Sequence, residues 1–240
     1  MVLEYAENGN LRKYIENNFN LTWKEKLQFL QNIAYNLRTI HDQKYVHKDL
    51  HSGNILQFNT ILYGITSKIT DLGLAQFINN SKSSNSSSVC GVLPYIAPEV
   101  LDGKPYTFAS DVYSFGIIMI EISTGKLPYG SVPHDEKLAL AICKGLRPRV
   151  AKGTPQCYID LVDQCLDANP EKRPAAKKLW EIIVNWPNEF INTERIISQE
   201  SSSETATNPE AIYTSRFMSF ANLSKPINST RVQIEDPEGM

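Results

Sequence analysis

Residues 47–54 read HKDLHSGN, and residues 71–73 read DLG. Together they place the Asp49 carboxylate and the Asn54 carboxamide on one loop, and the Asp71 carboxylate after the next apolar stretch. A placed carboxylate can accept a proton from a hydroxyl group, and carboxylate and amide oxygens are hard ligands that suit magnesium. Any one of these residues alone would more simply cap a turn. The ordered set, which begins at His47, predicts a base at Asp49 and magnesium ligands at Asn54 and Asp71.

The ordered set resembles the protein kinase signature, in which H-R-D-L-x-x-x-N is followed by D-F-G. Downstream, residues 91–99 read GVLPYIAPE, which resembles the end of a kinase activation segment closing on A-P-E. The resemblance runs from about residue 1 to residue 186. It implies a mainly α, kinase-like C-terminal (large) lobe, α+β overall, in which a helical bundle surrounds a central apolar helix and short strands line the cleft. It also implies transfer of the γ-phosphate of ATP to a protein hydroxyl, with ATP and Mg²⁺ as cofactors.

The resemblance assigns further roles outside this set. Glu99 of the A-P-E triplet is expected to pair with Arg173, and Asp111 to tie the following apolar helix to the catalytic-loop backbone. The alternative for Asp111 is a helix N-terminal acid stabilised by the helix dipole. Lys48 replaces the usual Arg and offers a phosphate a point charge instead of a planar fork. Ser88 aligns with the family's main activating phosphosite, whose phosphate Lys48 could contact; alternatively, the serines around it form only a solvated loop.

The start of the chain resembles the last strand of a kinase small lobe. The resemblance puts Leu3 at the gatekeeper position, Glu4 and Ala6 where hinge backbone groups meet adenine, and Leu56 on the floor of the adenine pocket. The 240 residues contain no Gly-rich loop or strand lysine ahead of this point. Because the three catalytic and metal-binding residues are retained, we expect a truncated kinase rather than a complete protein that has lost its small lobe. Such a chain should bind ATP weakly and transfer phosphate poorly.

The sequence says little about which hydroxyl is phosphorylated. His51 and Val92 stand where Ser/Thr kinases usually carry Lys and Thr, and the chain also lacks the Arg-rich loop and the Trp preferred by tyrosine kinases. DLHSGN and the GLRP of residues 145–148 resemble the tyrosine-kinase-like group, whose members mostly modify Ser and Thr, and we expect that preference. Two other interpretations stay open: a non-catalytic, pseudokinase-like scaffold or binding module, and a small-molecule phosphotransferase, which the A-P-E segment disfavours.

Composition narrows the partners and the compartment. A formal net charge of −2 gives no electrostatic reason to expect nucleic acid or an anionic membrane. The longest apolar run, residues 117–122, contains Glu121 and falls short of the about 20 residues of a membrane span. The start of the chain carries an acidic residue, Glu4, within its first five positions and so does not read as a secretory signal. The four cysteines include no C-x-x-C pair and suggest reduced thiols. We therefore expect a cytoplasmic protein, of open oligomeric state. That its substrate is a protein is what the resemblance of the A-P-E segment implies.

Two domains are expected: a kinase large lobe with hinge over residues 1–190, and a disordered, Ser/Thr/Asn-rich tail over residues 191–240. Apolar residues at steps of three and four after Thr22 predict a long amphipathic helix. Residues 108–124 are apolar nearly all round and predict a buried central helix. The Ser- and Asn-rich residues 79–88 predict a mobile loop. Shorter helices are predicted at 11–17, 135–144, 158–166 and 175–186, and strands at 45–47, 55–56 and 67–70.

Overall fold

The computed structural model describes residues 4–18, 20–60, 64–78, 89–186, 207–220 and 223–228. Within these ranges the α-helices are α1 (Leu11–Asn17), α2 (Trp23–Asp42), α3 (Pro98–Leu101), α4 (Phe108–Thr124), α5 (Glu136–Cys143), α6 (Gln156–Cys165) and α7 (Ala176–Val184). The strands are β1 (Tyr45–Val46), β2 (Ile55–Thr60), β3 (Gly64–Ile69), β4 (Gln76–Phe77), β5 (Val89–Gly91) and β6 (Arg216–Met218). They form three antiparallel pairs, β1 with β4, β2 with β3, and β5 with β6. The fold is α+β and dominated by helices.

Helix α4 is the centre of the hydrophobic core. Every residue from Ser110 to Ser123 is buried, as expected for a helix that is apolar nearly all round. The helix begins after Thr107, whose backbone N–H donates to the Ser110 Oγ at 3.0 Å, and it ends at Gly125 with a left-handed φ of 69°. Gly116 faces α6, where an added Cβ would come within 2.8 Å of the Cys165 Cβ. Glycine therefore lets the two helices approach closely.

Helix α2 supports the β2–β3 hairpin that carries part of the candidate site. Its N-terminus is a capping box: the Glu25 backbone N–H donates to the Thr22 Oγ1 at 3.2 Å, and the Thr22 backbone N–H donates to the Glu25 Oε2 at 2.8 Å. Such a cap typically stabilises by about 1 kcal/mol. Further along, Gln28 donates to the Ile65 carbonyl at 2.9 Å and so ties the helix to β3.

Helices α2 and α7 close one side of the same core. Their inward side chains are fully or almost fully buried: Leu30, Ile33 and Leu37 from α2, and Leu179 and Ile183 from α7. Burial of one such side chain contributes about 1.5–3 kcal/mol. No helix in the described ranges is both long and apolar enough to cross a membrane.

The helices at 11–17 and 108–124 have the bounds that the sequence predicts, and the hairpin strands are longer than predicted. The tail differs from the expectation of disorder where it is described. Residues 216–218 form β6, and Ile227 donates its backbone N–H to the Cys143 carbonyl at 3.0 Å. These contacts are made largely by backbone groups, which composition does not report. The predicted loop at 79–88 and the expected domain boundary at 190 lie outside the described residues.

Candidate active site

Asp111, in the first turn of α4, holds the start of the predicted catalytic loop, residues 47–54. Its carboxylate is buried and accepts hydrogen bonds from the backbone N–H groups of His47 at 2.8 Å and Lys48 at 3.0 Å. The His41 Nε2 lies 2.9 Å from the same carboxylate. Lys48 adopts a left-handed φ of 72°, which is costly for a residue with a side chain. The two bonds to Asp111 keep the loop in that conformation.

The buried His47 imidazole links the catalytic loop to the segment that leads into Asp71. Its Nδ1 accepts from the Asp49 backbone N–H at 3.3 Å, and its Nε2 lies 3.0 Å from the Thr70 carbonyl. An Nδ1 that accepts leaves the proton on Nε2, where it can donate to that carbonyl. His47 therefore connects the two predicted catalytic stretches through a single imidazole ring.

Asp49 lies at the centre of the site with its carboxylate almost completely buried. Its Oδ2 accepts from the Asn54 Nδ2 at 3.3 Å and from the Ser215 Oγ at 2.5 Å. Its Oδ1 is buried without a hydrogen-bond partner among the described residues, and the His51 Nε2 is 3.7 Å away. Burial alone raises the pKa of Asp49, but the His51 imidazole and the Ser215 hydroxyl outweigh it and hold that pKa below its ordinary value. The group is an anion ready to accept a hydrogen bond.

The predicted metal ligands lie at one end of the β2–β3 hairpin. Thr70 donates to the Asn54 carbonyl through its backbone N–H at 2.9 Å and its hydroxyl at 3.1 Å. Asp71 follows directly. The Asn54 amide nitrogen also donates to the Asp49 carbonyl at 3.0 Å, which leaves the amide oxygen for a cation. Asp71 is exposed in a left-handed conformation, and its Oδ1 accepts from the Gly73 N–H at 3.4 Å.

This donor set fits Mg²⁺. Asn54 and Asp71 supply one amide and one carboxylate oxygen, and Mg²⁺ usually takes one or two carboxylates and completes its shell with water and substrate phosphates. The described residues contain no group of three or more His, Cys, Asp or Glu side chains that could hold a metal by themselves. A magnesium ion here would therefore depend on a phosphate ligand.

The predicted adenine contacts are only partly described. Leu3 lies outside the described residues. Glu4 is exposed and forms an ion pair with Lys68 at 2.6 Å, and Lys68 is the strand partner of the half-buried Leu56. Ala6 accepts a backbone hydrogen bond in the following turn. The structure thus brings Glu4 and Leu56 to the same strand pair, and their role towards adenine stays a prediction.

Glu99 and Arg173 form a buried, two-pronged ion pair. The Arg173 Nη1 and Nη2 donate to the two Glu99 carboxylate oxygens, each at 2.7 Å. Arg173 also donates to the carbonyls of Asp167 at 2.8 Å and Ala109 at 2.9 Å. The pair ties the end of the segment at residues 91–99 to the start of α4.

Of the two residues predicted to act in regulation, Lys48 and Ser88, the structure describes only Lys48. Lys48 contacts the Gln76 Oε1 at 3.3 Å and lies 5.3 Å above the Tyr106 ring. Ser88 lies outside the described residues, so the phosphate contact between the two stays a prediction.

Sequence reasoning missed two parts of the site. Glu121 interrupts the apolar run of α4, yet it is buried and accepts from the Tyr95 hydroxyl at 2.6 Å. Burial raises the pKa of Glu121. The Tyr95 hydroxyl lies 3.2 Å from the Ser52 hydroxyl of the predicted catalytic loop. This series of hydrogen bonds connects Glu121 of α4 to that loop. A lone acid in an apolar helix was the available signal. The second missed residue, Ser215, has no local signal.

Comparison with known proteins places the chain in a class. The family model for protein tyrosine and serine/threonine kinases matches residues 1–183. The chain belongs to the protein kinase family.

Its relatives include several serine/threonine kinases. It is 30% identical over 186 residues to a probable serine/threonine-protein kinase of Dictyostelium discoideum. The match covers 77% of this chain and 11% of that protein. It is 32% identical over 198 residues to a putative serine/threonine-protein kinase/receptor of Acanthamoeba polyphaga mimivirus, with coverage of 81% and 11%. It is 31% identical over 193 residues to a dual specificity protein kinase of Dictyostelium discoideum, with coverage of 75% and 8%. The chain thus spans about a tenth of the length of these relatives.

Proposed function

We infer that this chain catalyses transfer of the γ-phosphate of ATP to serine or threonine hydroxyls of proteins, as part of intracellular signalling. The inference is supported by the Asp49–Asn54 hydrogen bond on a loop that Asp111 holds, and by the place of Asp71 directly after Thr70, which donates to the Asn54 carbonyl. In phosphoryl transfer the protein contributes mainly positioning and electrostatic stabilisation. The hydrogen bonds between Asn54 and Asp49 supply part of that positioning.

In this proposal Asp49 acts on the acceptor hydroxyl, and Asn54 and Asp71 act on the nucleotide through its magnesium ion. Asp49 accepts the hydrogen of the substrate hydroxyl and orients its oxygen towards the γ-phosphorus. Asn54 and Asp71 would hold Mg²⁺, which supplies positive charge to the phosphate oxygens when it is bound. The hydroxyl oxygen forms the new bond to phosphorus, ADP leaves with the electron pair of the broken P–O bond, and the hydroxyl proton passes to Asp49.

The serine/threonine preference is supported by the relatives rather than by the geometry. Two of the three relatives described above are named serine/threonine kinases, and one is a dual specificity kinase. The preference also accords with the resemblance of DLHSGN to the tyrosine-kinase-like group. Tyrosine phosphorylation is the alternative to be separated by experiment.

The test is a phosphotransfer assay on the 240-residue chain with radiolabelled ATP, Mg²⁺ and myelin basic protein, followed by phosphoamino acid analysis. Transfer should be slow, as expected for a chain that binds ATP weakly, and its product should be phosphoserine or phosphothreonine. Asp49→Asn should lower that slow rate by a further factor of about 10²–10⁴. Asp42→Asn is the matched control, because Asp42 is an exposed carboxylate at the end of α2. Equal rates for Asp49→Asn and the unaltered chain would refute the proposed function.

A further inference from the structure

The tail strand β6 runs antiparallel to β5, which leads past the catalytic base. The paired residues are Val89 with Met218, Cys90 with Phe217, and Gly91 with Arg216. The β5 strand ends beside Asp49, since a Cβ added to Gly91 would lie 3.5 Å from the Asp49 Oδ1. Any residue just before β6 is therefore delivered to the candidate active site by backbone pairing.

Ser215 is that residue. Its Oγ lies 2.5 Å from the Asp49 Oδ2 and 3.4 Å from the His51 Nε2. Asp49 accepts at Oδ2 and cannot donate while ionised, so the Ser215 hydroxyl donates. The serine hydroxyl thus makes the contact with Asp49 that the proposed function assigns to a substrate hydroxyl.

Side chains on both sides of Ser215 fix its position. The Tyr213 hydroxyl donates to the Pro128 carbonyl at 2.8 Å, and its ring meets the His134 ring edge-on with centroids 4.7 Å apart. Arg12 donates to the Tyr213 carbonyl at 3.0 Å and lies 5.1 Å above the same ring. On the other side, Arg216 donates to the His134 carbonyl at 2.6 Å. Ser215 is held between two anchored neighbours.

The backbone ahead of Ser215 is anchored as well. The Asn208 N–H donates to the Gly130 carbonyl at 2.8 Å, and the His134 N–H donates to the Glu210 carbonyl at 3.0 Å. Beyond Ser215, the Met218 side chain is buried. Contacts therefore extend over residues 208–218. Over residues 216–218 they have the form of strand addition, by which proteins bind extended peptides.

We propose that Ser215 is a phosphorylation site of this chain's own active site, modified within the same molecule; this rests on the proposed function. The Ser215 Oγ forms a bond to the γ-phosphorus of ATP, the bond from that phosphorus to the bridging oxygen breaks, and ADP leaves with its electron pair. The hydroxyl proton goes to the Asp49 carboxylate. Because tethering gives an effective concentration of the order of millimolar, the tail outcompetes other protein hydroxyls present at lower concentration.

The test incubates the 240-residue chain with Mg·ATP and localises phosphate by tandem mass spectrometry. We expect phosphate on Ser215, at a rate per molecule that does not change with chain concentration. Ser215→Ala and Asp49→Asn should remove the signal. Thr214→Ala is the matched control, because it deletes the adjacent hydroxyl and should leave the signal intact. Phosphate that persists at residue 215 in Asp49→Asn, or a rate per molecule that rises with concentration, overturns the proposal.

Myelin basic protein in the same reaction separates this proposal from the proposed function. If the added protein is phosphorylated and Ser215 is not, the proposal is wrong and the proposed function stands. If neither is phosphorylated, the proposed function fails and the proposal fails with it.

A second measurement tests the docked tail without any catalysis. Directly opposed residues of an antiparallel pair have Cα atoms about 4.5–5.5 Å apart, which is within disulfide range. Phe217 is 76% exposed, so Phe217→Cys should fold normally and form a disulfide with Cys90 under mild oxidation. Ser219→Cys, just beyond the strand, is the control and should not do so. Absence of the Cys90 disulfide in oxidised Phe217→Cys overturns the proposal.

Discussion

Neutralising Glu99 should destabilise the protein far more than neutralising an exposed acid in an equally short ion pair. Arg173 and Glu99 are 0% and 3% exposed, and two bonds of 2.7 Å join them. Glu99→Gln leaves the arginine charge buried and turns an amide N–H towards a guanidinium donor. Loss of one partner of a buried pair typically costs about 3–5 kcal/mol. For a domain of this size that corresponds to a fall in Tm of roughly 6–20 °C.

The chain contains a matched control for this experiment. Lys68 and Glu4 form an ion pair of 2.6 Å, but their side chains are 47% and 62% exposed. Glu4→Gln should therefore cost about 0–1 kcal/mol. Both variants would be compared with the unaltered chain by calorimetry and urea denaturation. The reasoning is refuted if the two substitutions lower the free energy of unfolding by similar amounts.

Three other perturbations test the site and its support. Asp111→Ala should lower the free energy of unfolding by about 3 kcal/mol or more, because two charge-assisted hydrogen bonds are lost. Its phosphotransfer rate should also fall as Lys48 leaves its left-handed conformation. Normal activity at full stability would contradict the role given to the two Asp111 hydrogen bonds. Gly116→Ala should lower the free energy of unfolding, measured by urea denaturation, by about 1–3 kcal/mol, because the added Cβ would lie 2.8 Å from the Cys165 Cβ. Unchanged stability would argue against the close approach of α4 and α6. The folded-state pKa of Asp49 lies below the ordinary 3.8, so its stabilisation is present above that pH and is lost as pH falls through the lower folded value. Asp49→Asn should flatten that part of the stability–pH curve, and parallel curves for the two chains would exclude the linkage.

The sequence predicts the parts of this fold that local patterns encode. The bounds of α4 follow from an unbroken apolar run that starts after Thr107 and stops at Gly125. The start of α2 follows from Thr22 and the Glu three residues later. The candidate site residues Asp49, Asn54 and Asp71 are recognisable because their spacing is fixed by the loop and hairpin that carry them.

The unpredicted parts depend on contacts between distant residues. Ser215 reaches Asp49 across 166 residues of chain, and a three-residue strand in a polar tail has no periodicity to detect. Glu121 looks like a simple interruption of an apolar helix, since its partner Tyr95 lies on a different element. The left-handed Lys48 is likewise imposed by Asp111 and not by its own residue type.

Asp111 holds the predicted catalytic loop by hydrogen bonds from two backbone N–H groups, so the path of the loop does not depend on the side chains at those two positions. Every residue except proline carries such a group, so the clamp is indifferent to which side chain stands at position 48. A lysine can therefore replace the arginine usual in the family while the backbone contacts of the loop with Asp111 stay the same. Substitution at this position thus changes the side chain presented beside Gln76 and Tyr106, and it leaves the backbone path of the loop unchanged.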